Sequence, residues 1–413
     1  MWIGSVEITW KKIALVIGVI LGVLLIIWFI WWLLQPQQGV PPPAQPPLIG
    51  GPGLPERRPG GPRQPLPPGV PPEPEEPGQP SQPSQIADGG LTTVDHLTSD
   101  PVTQFTLAGD GKTPVVYNPK EGLFYRITPD GTVTPLSSRI FRDVENVAWA
   151  KGATKGILEF PDGANILYNF ATDTQVTLPR EWQNFSFSPE GGSIAFKSLG
   201  RRDEDRWLAI ANPDGSGAER IEHLGFKDNK VNVAWSPNNQ VVATFPESQT
   251  GNDQEVYFIG RHQENFLSLP IEGRGFRSQW SPDGSHLLYS TYPIGGGSRP
   301  QLSIASAEGD AIGDTNIDLG LETWPEKCVF QNTTVLICAV PTELPDGAGL
   351  FPKVADAIPD QFVRVDLQTG TKTILATPAS NTTADHLVLS DDGKYLFFTN
   401  KRTGILERMQ LRP

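Results

Sequence analysis

Hydrophobic residues in the last three quarters of the chain form short runs of β-branched and aromatic side chains, separated by Gly, Pro, Asn and Asp. No helical period is sustained there. The most complete example is Trp280-Ser281-Pro282-Asp283-Gly284, followed by Leu287-Leu288-Tyr289. Its strand ends in an aromatic residue, its proline cannot donate to a sheet, its Asp-Gly pair supplies a turn, and an apolar strand returns. This pattern predicts a β-hairpin.

The hairpin recurs at intervals of about 38 to 60 residues, a spacing that suits propeller blades. Seven units begin near Gln104, Val147, Phe185, Val233, Trp280, Cys328 and Leu387. A second hairpin usually follows the first, most clearly over residues 123–136 and 362–375, so each unit predicts a four-stranded sheet. The predicted fold is all-β, a β-propeller of seven four-stranded blades. Because the first, second and sixth copies are weak, six or eight blades remain alternatives.

The motif at Trp280 and its degenerate copies resemble the repeat of TolB-like β-propellers, which is also found in the propeller domains of prolyl oligopeptidase and dipeptidyl-peptidase enzymes. The resemblance covers about residues 90–411. It implies a toroidal, mostly non-catalytic domain that makes protein contacts in the cell envelope.

The ends of the repeat region predict how the ring closes. The last unit offers only three strands, the third being residues 404–411. Residues 91–98, just before the first unit, are predicted to form an outer strand that belongs to none of the seven units. We expect this stretch to complete the last sheet and so remove two free sheet edges.

Residues 13–34 are 22 consecutive residues without a charge. At about 1.5 Å per residue they can cross a hydrocarbon core of about 30 Å. Lys11 and Lys12 precede this stretch, and Trp28, Trp31 and Trp32 lie near its end, where indole rings favour the headgroup layer. We expect a single transmembrane helix with residues 1–12 in the cytoplasm. A cleaved signal peptide is the alternative, but the apolar run is long for one and no small-x-small site follows it.

Residues 35–87 are predicted to be a disordered, proline-rich stalk, and residues 88–413 the propeller. Nineteen of the 41 prolines fall between residues 36 and 85, where large apolar side chains are rare. Such a segment cannot bury enough surface to fold, and its prolines favour an extended polyproline II spacer. A PxxP ligand for an aromatic groove is the alternative.

The net charge of -13 is carried by the residues after position 85, since the segments before that position nearly cancel. Such an acidic domain is a poor match for phosphate backbones, so we expect no nucleic-acid partner. The five histidines are scattered without metal-ligand spacing, and no metal or cofactor is predicted. No Gly-x-Ser-x-Gly nucleophile motif is present, which argues against a serine peptidase.

Cys328 and Cys338 are the only cysteines. If the residues between them form a tight hairpin turn, the two side chains face one another across neighbouring strands. Outside the membrane this arrangement favours a disulfide, with two reduced core cysteines as the alternative.

Three long connections interrupt the repeat, and long loops in compact domains often carry function. They are residues 199–206, 292–300 and 341–361, and the last contains a short predicted helix around 354–358. The candidate interaction residues on them are Leu350, Phe351, Lys353, Arg299, Arg201 and Arg202. Solvated insertion is the alternative for each loop.

These features predict a non-enzymatic, single-pass membrane protein whose extracytoplasmic propeller binds an envelope or surface protein, or a surface polymer. A small-molecule ligand is left open. Two other functions remain: a hydrolase or lyase centred on the propeller channel, and a structural module of a pilus or secretion assembly.

Overall fold

The structure is a computed structural model that describes residues 82–413. The predicted cytoplasmic segment 1–12, the transmembrane segment 13–34 and all but the end of the stalk 35–87 lie outside the described residues. None of the helices within residues 82–413 has the length and hydrophobicity needed to cross a membrane.

The described residues form a β-propeller of seven blades, which confirms the predicted fold and blade count. Each blade has four antiparallel strands in sequence order from the inner to the outer edge, with two exceptions. The outer strand of the last blade comes from the start of the domain, and blade 6 has a fifth, parallel strand from the same region.

Two short strands precede the first blade: β1 (Leu91–Thr92) and β2 (Asp95–His96). Blade 1 contains β3 (Thr103–Leu107), β4 (Pro114–Asn118), β5 (Leu123–Ile127) and β6 (Val133–Pro135). Blade 2 contains β7 (Asn146–Trp149), β8 (Lys155–Glu159), β9 (Asn165–Asn169) and β10 (Thr174–Leu178). Blade 3 contains β11 (Trp182–Phe187), β12 (Ile194–Leu199), β13 (Arg206–Ala211) and β14 (Glu219–His223).

Blade 4 contains β15 (Asn232–Val233), β16 (Val241–Ser248), β17 (Asp253–Gly260) and β18 (Leu269–Glu272). Blade 5 contains β19 (Arg274–Trp280), β20 (His286–Tyr292), β21 (Gln301–Ser306) and β22 (Asn316–Asp318). Blade 6 contains β23 (Cys328–Asn332), β24 (Val335–Pro341), β25 (Asp360–Asp366) and β26 (Lys372–Pro378). Blade 7 contains β27 (Ala384–Leu389), β28 (Tyr395–Asn400) and β29 (Leu406–Gln410), with β2 as its fourth strand.

The helices of the described part of the chain are short 3-10 turns between strands. They are η1 (Lys151–Ala153), η2 (Asp203–Asp205), η3 (Gly225–Lys230), η4 (Gly309–Ala311), η5 (Pro325–Lys327) and η6 (Pro352–Ala355).

The Asp-Gly pair of the repeat closes the turn between the first and second strands. Ser281 Oγ donates to Asp283 Oδ1 over 2.6 Å, and the backbone N–H of His286 donates to Ser281 Oγ over 2.9 Å. Gly284 has a φ of +73°, and a Cβ there would lie 2.7 Å from the backbone nitrogen of Asn238 in blade 4. These contacts confirm that Asp283 is a turn residue.

The hydrophobic core lies between blades, not within one central cluster. Seven groups of buried side chains each join two neighbouring blades, and together they complete the circle. Trp280 is half-buried against the group between blades 4 and 5, and its Nε1–H donates to the carbonyl of Ala234 over 3.1 Å. The tryptophan of the repeat is therefore a core residue that also ties its blade to the preceding one.

The ring closes largely as the sequence predicts. Strand β2 pairs antiparallel with β29 and completes blade 7, whereas β1 pairs parallel with β26 and adds a fifth strand to blade 6. The stalk boundary at residue 87 needs a correction. Ser84 and Ile86 form β-bridges to Thr92 and Gln410, because this end of the segment has apolar side chains that pack, including the buried Ala87.

Cys328 and Cys338 lie directly opposite one another on β23 and β24. Their sulfur atoms are 2.11 Å apart, and the disulfide is buried between blades 5 and 6.

Candidate interaction surface

The three long connections lie on the same side of the propeller. Each of them joins the second and third strands of its blade: residues 200–205 in blade 3, 293–300 in blade 5 and 342–359 in blade 6. In a propeller of up-and-down sheets these connections all emerge on one face, together with those that lead from one blade to the next. We call this side the loop face.

The long connections of blades 5 and 6 are hydrogen-bonded to each other. The backbone N–H of Gly347 donates to the carbonyl of Gly297 over 2.6 Å, and that of Gly349 donates to the carbonyl of Ser298 over 2.8 Å. The backbone N–H of Ile294 donates to Asn252 Oδ1 of blade 4 over 3.0 Å. Three neighbouring blades thus hold the two loops.

The blade 6 connection has a small hydrophobic core of its own. Leu344, Ala348 and Ala355 are buried against Trp324, which precedes the first strand of the blade. The predicted helix at 354–358 is instead the 3-10 turn η6, which starts two residues earlier because Pro352 occupies its first turn. The loop is therefore an ordered structure with its own buried side chains.

Four large apolar side chains on these two connections are exposed. We call them the apolar platform: Ile294, Leu350, Phe351 and Val354. Phe351 is 63% exposed, Ile294 62% and Leu350 53%. The two loops that carry these side chains are already held by hydrogen bonds. A partner that binds the side chains would therefore not have to offset the conformational entropy of ordering the whole loop. Large exposed apolar side chains on ordered loops are typical of contact surfaces.

A buried ion pair lies at the end of the blade 6 connection. Lys327 Nζ lies 2.7 Å from both carboxylate oxygens of Asp360, and both side chains are buried. The backbone N–H of Ala384 in blade 7 also donates to Asp360 Oδ2 over 2.7 Å. Burial raises the pKa of Asp360, and the Lys327 ammonium opposes that rise. The pair fixes the point where the long connection enters β25.

The predicted residues Arg299 and Lys353 accompany the platform, but in different ways. Arg299 bridges the two loops, with its guanidinium 3.2 Å from Asp346 and 3.4 Å from Glu322. It serves as an internal brace. Lys353 is exposed and makes no ion pair within residues 82–413, so its ammonium is free to meet a partner.

Arg201 and Arg202 lie on blade 3, apart from the platform on blades 5 and 6. Arg202 pairs within its own loop, with Nε 2.8 Å from Asp205 Oδ2 and Nη1 3.0 Å from Glu204 Oε1. The Arg202 guanidinium lowers the pKa of the Asp205 carboxyl. Arg201 is exposed. The sequence-predicted residues therefore do not form one site.

Sequence reasoning missed Ile294 and Val354 as exposed members of the platform. Both are ordinary apolar residues whose exposure depends on how two distant loops meet. Ile294 had one available signal, since it stands between Pro293 and a run of glycines that cannot bury it. The Lys327–Asp360 pair had none, because its members are 33 positions apart.

The central channel opens on the loop face into a cavity of about 530 Å³ lined by residues of blades 7, 1 and 2. Two of its polar side chains are bonded to neighbouring blades. Gln104 donates to the carbonyl of Glu145 over 2.8 Å, and His386 Nε2 lies 3.1 Å from the carbonyl of Phe105. Across residues 82–413, no three His, Cys, Asp or Glu side chains are grouped to hold a metal.

No family model matches the chain, and no curated protein matches it. Solved structures with a similar fold include an oligogalacturonate lyase in complex with manganese, with a TM-score of 0.52, 14% identity, and 80% of this chain and 96% of that chain covered. For an oligogalacturonate lyase from Vibrio parahaemolyticus the TM-score is 0.51 and the identity 11%, with 77% of this chain and 93% of that chain covered. For the Cps50 (Swd1) propeller domain of Myceliophteria thermophila the TM-score is 0.51 and the identity 10%, with 77% of this chain and 100% of that chain covered. At these identities the likeness establishes the propeller fold alone.

Proposed function

We propose that this chain is a non-enzymatic, membrane-anchored β-propeller of the TolB-like kind that binds another envelope or surface protein through its loop face. The observation that carries the proposal is the apolar platform. Its exposed side chains stand on two loops that are hydrogen-bonded together and supported by a core of their own.

The platform has the features of a binding surface rather than of a solvated insertion. A solvated loop needs neither a buried core nor exposed aromatic and aliphatic side chains. Phe351 supplies a large apolar contact, and Lys353 next to it supplies a charge at the edge. An apolar centre with a polar rim is the usual arrangement of protein contact surfaces.

The proposed location follows from the sequence. The uncharged run at residues 13–34 is long enough to anchor the chain, and the proline-rich segment after it suits a spacer that holds the propeller away from the membrane. A disulfide in the propeller agrees with an oxidising, extracytoplasmic compartment.

Crosslinking in native membranes tests the proposal. The anchored full-length protein is crosslinked, purified and analysed by mass spectrometry, and one envelope or surface protein is expected in stoichiometric amount. Recovery of no such protein, together with a small molecule retained in the purified propeller, would contradict the proposal.

A second candidate function is a lyase centred on the channel, as suggested by the fold shared with two oligogalacturonate lyases. His386 and Asp385 line the cavity at the channel mouth and are the side chains that could exchange protons there. Incubation of the full chain with oligogalacturonate and Mn²⁺ tests it. Unsaturated product that is lost in His386→Ala would favour this alternative.

A further inference from the structure

Strand β2, which closes the ring, is held to β29 by two cross-strand contacts between ionisable side chains. Asp95 stands opposite Arg408, and His96 stands opposite Glu407. Because neighbouring side chains of a strand point to opposite faces of a sheet, the two contacts lie on opposite sides of blade 7. Both residues of this two-residue strand are therefore engaged with β29.

The contact between His96 and Glu407 contains a buried carboxylate. Glu407 is only 1% exposed. Its Oε1 lies 3.4 Å from His96 Nε2 and accepts a hydrogen bond from Asn400 Nδ2 over 3.0 Å, and its Oε2 accepts one from Thr382 Oγ1 over 3.3 Å. Across residues 82–413, His96 is the one basic side chain within 4.0 Å of this carboxylate. A buried carboxylate is costly unless it is protonated or paired with a positive charge.

The other charged groups on the elements around Glu407 are paired with one another. They form the ion pairs Asp360–Lys327 in blade 6, Lys401 with Asp356 and Asp385 just after β28, and Arg408–Asp95 on the opposite face of the sheet. The remaining contacts of the Glu407 carboxylate come from a neutral amide and a neutral hydroxyl. Its charge is therefore balanced either by His96 or by a proton of its own.

The direction of the pH dependence follows from this burial. Burial raises the pKa of Glu407. The hydrogen bond from Asn400, the charge of His96 and the hydrogen bond from Thr382 oppose this rise. A carboxyl whose pKa is higher in the folded state adds stability below its unfolded value, near 4.5, and that stability is lost as the pH rises through the folded value. Protonation of His96 acts in the same direction, because a positive imidazolium beside the carboxylate is present only at the acid end.

We propose that the contact between His96 and Glu407 is a proton-dependent latch, which holds the closing strand β2 more tightly in mildly acid than in mildly alkaline solution. In acid the contact carries a proton, either on the imidazole as an ion pair or on the carboxyl itself. Loss of that proton leaves Glu407 as a buried anion with hydrogen bonds from neutral groups only. The latch acts on closure of the ring and not on the apolar platform, so its test does not depend on the proposed function.

Hydrogen–deuterium exchange of the full-length protein in detergent, measured by mass spectrometry, tests the proposal. The reporter is the backbone N–H of Leu97, which donates to the carbonyl of Leu406 over 2.8 Å and exchanges when β2 opens. Exchange is measured at about pH 5.5 and about pH 8, on either side of the range in which histidine changes its charge, and is corrected for the intrinsic pH dependence of amide exchange. We expect the protection of Leu97 to fall at least about tenfold at the higher pH, which is the effect of one pKa unit of difference between the closed and the opened strand.

Two variants separate the latch from the rest of the closing strand. Glu407→Gln has the shape of the protonated carboxyl and cannot become an anion, so the protection of Leu97 should no longer depend on pH. Asp95→Asn is the matched control, because it removes the ion pair with Arg408 on the other face of the same strand. It is expected to lower the protection of Leu97 at both pH values and to keep the difference between them.

Three outcomes would overturn the proposal. The first is equal protection of Leu97 at the two pH values in the wild-type chain. The second is a Glu407→Gln chain that keeps the wild-type pH dependence, or that fails to fold, since the protonated form of Glu407 would then not be the one that suits the closed ring. The third is loss of the pH dependence in Asp95→Asn as well, because the effect would then not belong to the contact between His96 and Glu407.

Discussion

Lys327 Nζ donates to both carboxylate oxygens of Asp360, at 2.7 Å each, across a gap of 33 residues. This relationship joins the entry to blade 6 with the end of its long connection, and the contact from Ala384 extends it to blade 7. The blade 6 connection, which carries Leu350, Phe351 and Val354, thus ends on a buried charged contact.

Breaking this pair should be costly. Asp360→Ala leaves the Lys327 ammonium buried without a partner, and we expect the free energy of unfolding to fall by about 3–5 kcal/mol. Urea denaturation followed by tryptophan fluorescence measures the change. The double variant Lys327→Met with Asp360→Leu removes both charges and should cost clearly less. A double variant that is as unstable as Asp360→Ala would contradict the role given to the pair.

Trp280 should contribute mainly through packing. Trp280→Ala removes a half-buried ring from the interface of blades 4 and 5, and we expect a loss of about 3–5 kcal/mol. Trp280→Phe keeps most of the contact and loses the hydrogen bond to Ala234, for a loss of about 1 kcal/mol. Denaturation curves of both variants give the comparison. Loss of partner binding at full stability would show instead that Trp280 belongs to a binding site.

Because the first two strands close the ring, their removal should strongly destabilise the propeller. Deletion of residues 88–98 removes β1 and β2, together with the Asp95 carboxylate that lies 2.8 Å from the Arg408 guanidinium. Two sheet edges are then exposed, and the melting temperature should fall sharply. Deletion of residues 53–63, equally long but from the proline-rich segment, is the control and should leave it unchanged. Equal melting temperatures for the two deletions would mean that the ring closes in another way.

The repeat turns should make the propeller sensitive to acid. A hydrogen bond from Ser390 lowers the pKa of Asp392, and one from Ser216 lowers the pKa of Asp214. A carboxyl whose pKa is lower in the folded state adds stability above its unfolded pKa, near 3.8, and that stability is lost as the pH falls through the folded value. Thermal melts below about pH 4 should therefore show declining stability.

Substitution of one turn residue checks this origin. Asp392→Asn removes a titrating group, so the acid decline in its melting temperature should be shallower than in the wild type. Asp88→Asn, at an exposed position before β1, is the control. A decline unchanged in Asp392→Asn would place the acid sensitivity in other groups.

The sequence predicts the scaffold well because the scaffold repeats. The motif at Trp280 contains the end of a strand, a proline that stops it and an Asp-Gly turn within a few residues. Its copies at Phe185, Val233 and Leu387 therefore predict further blades from local sequence alone. The facing cysteines follow from the same hairpin geometry. The platform is different, because it stands on two loops that are distant in sequence and are joined only in the folded chain, where Gly347 and Gly349 bond to Gly297 and Ser298.

The central claim is that the apolar platform holds a protein partner, and comparison of two serine variants of the full-length protein tests it most directly. The platform variant combines Leu350→Ser with Phe351→Ser. Its control is Ile374→Ser, which changes a side chain that is 50% exposed on strand β26 of the same blade 6. Both are crosslinked in native membranes, and the amount of recovered partner is compared with the wild type. We predict that the platform variant loses the partner at an unchanged melting temperature, while Ile374→Ser retains it. Equal recovery of the partner by both variants would contradict the claim.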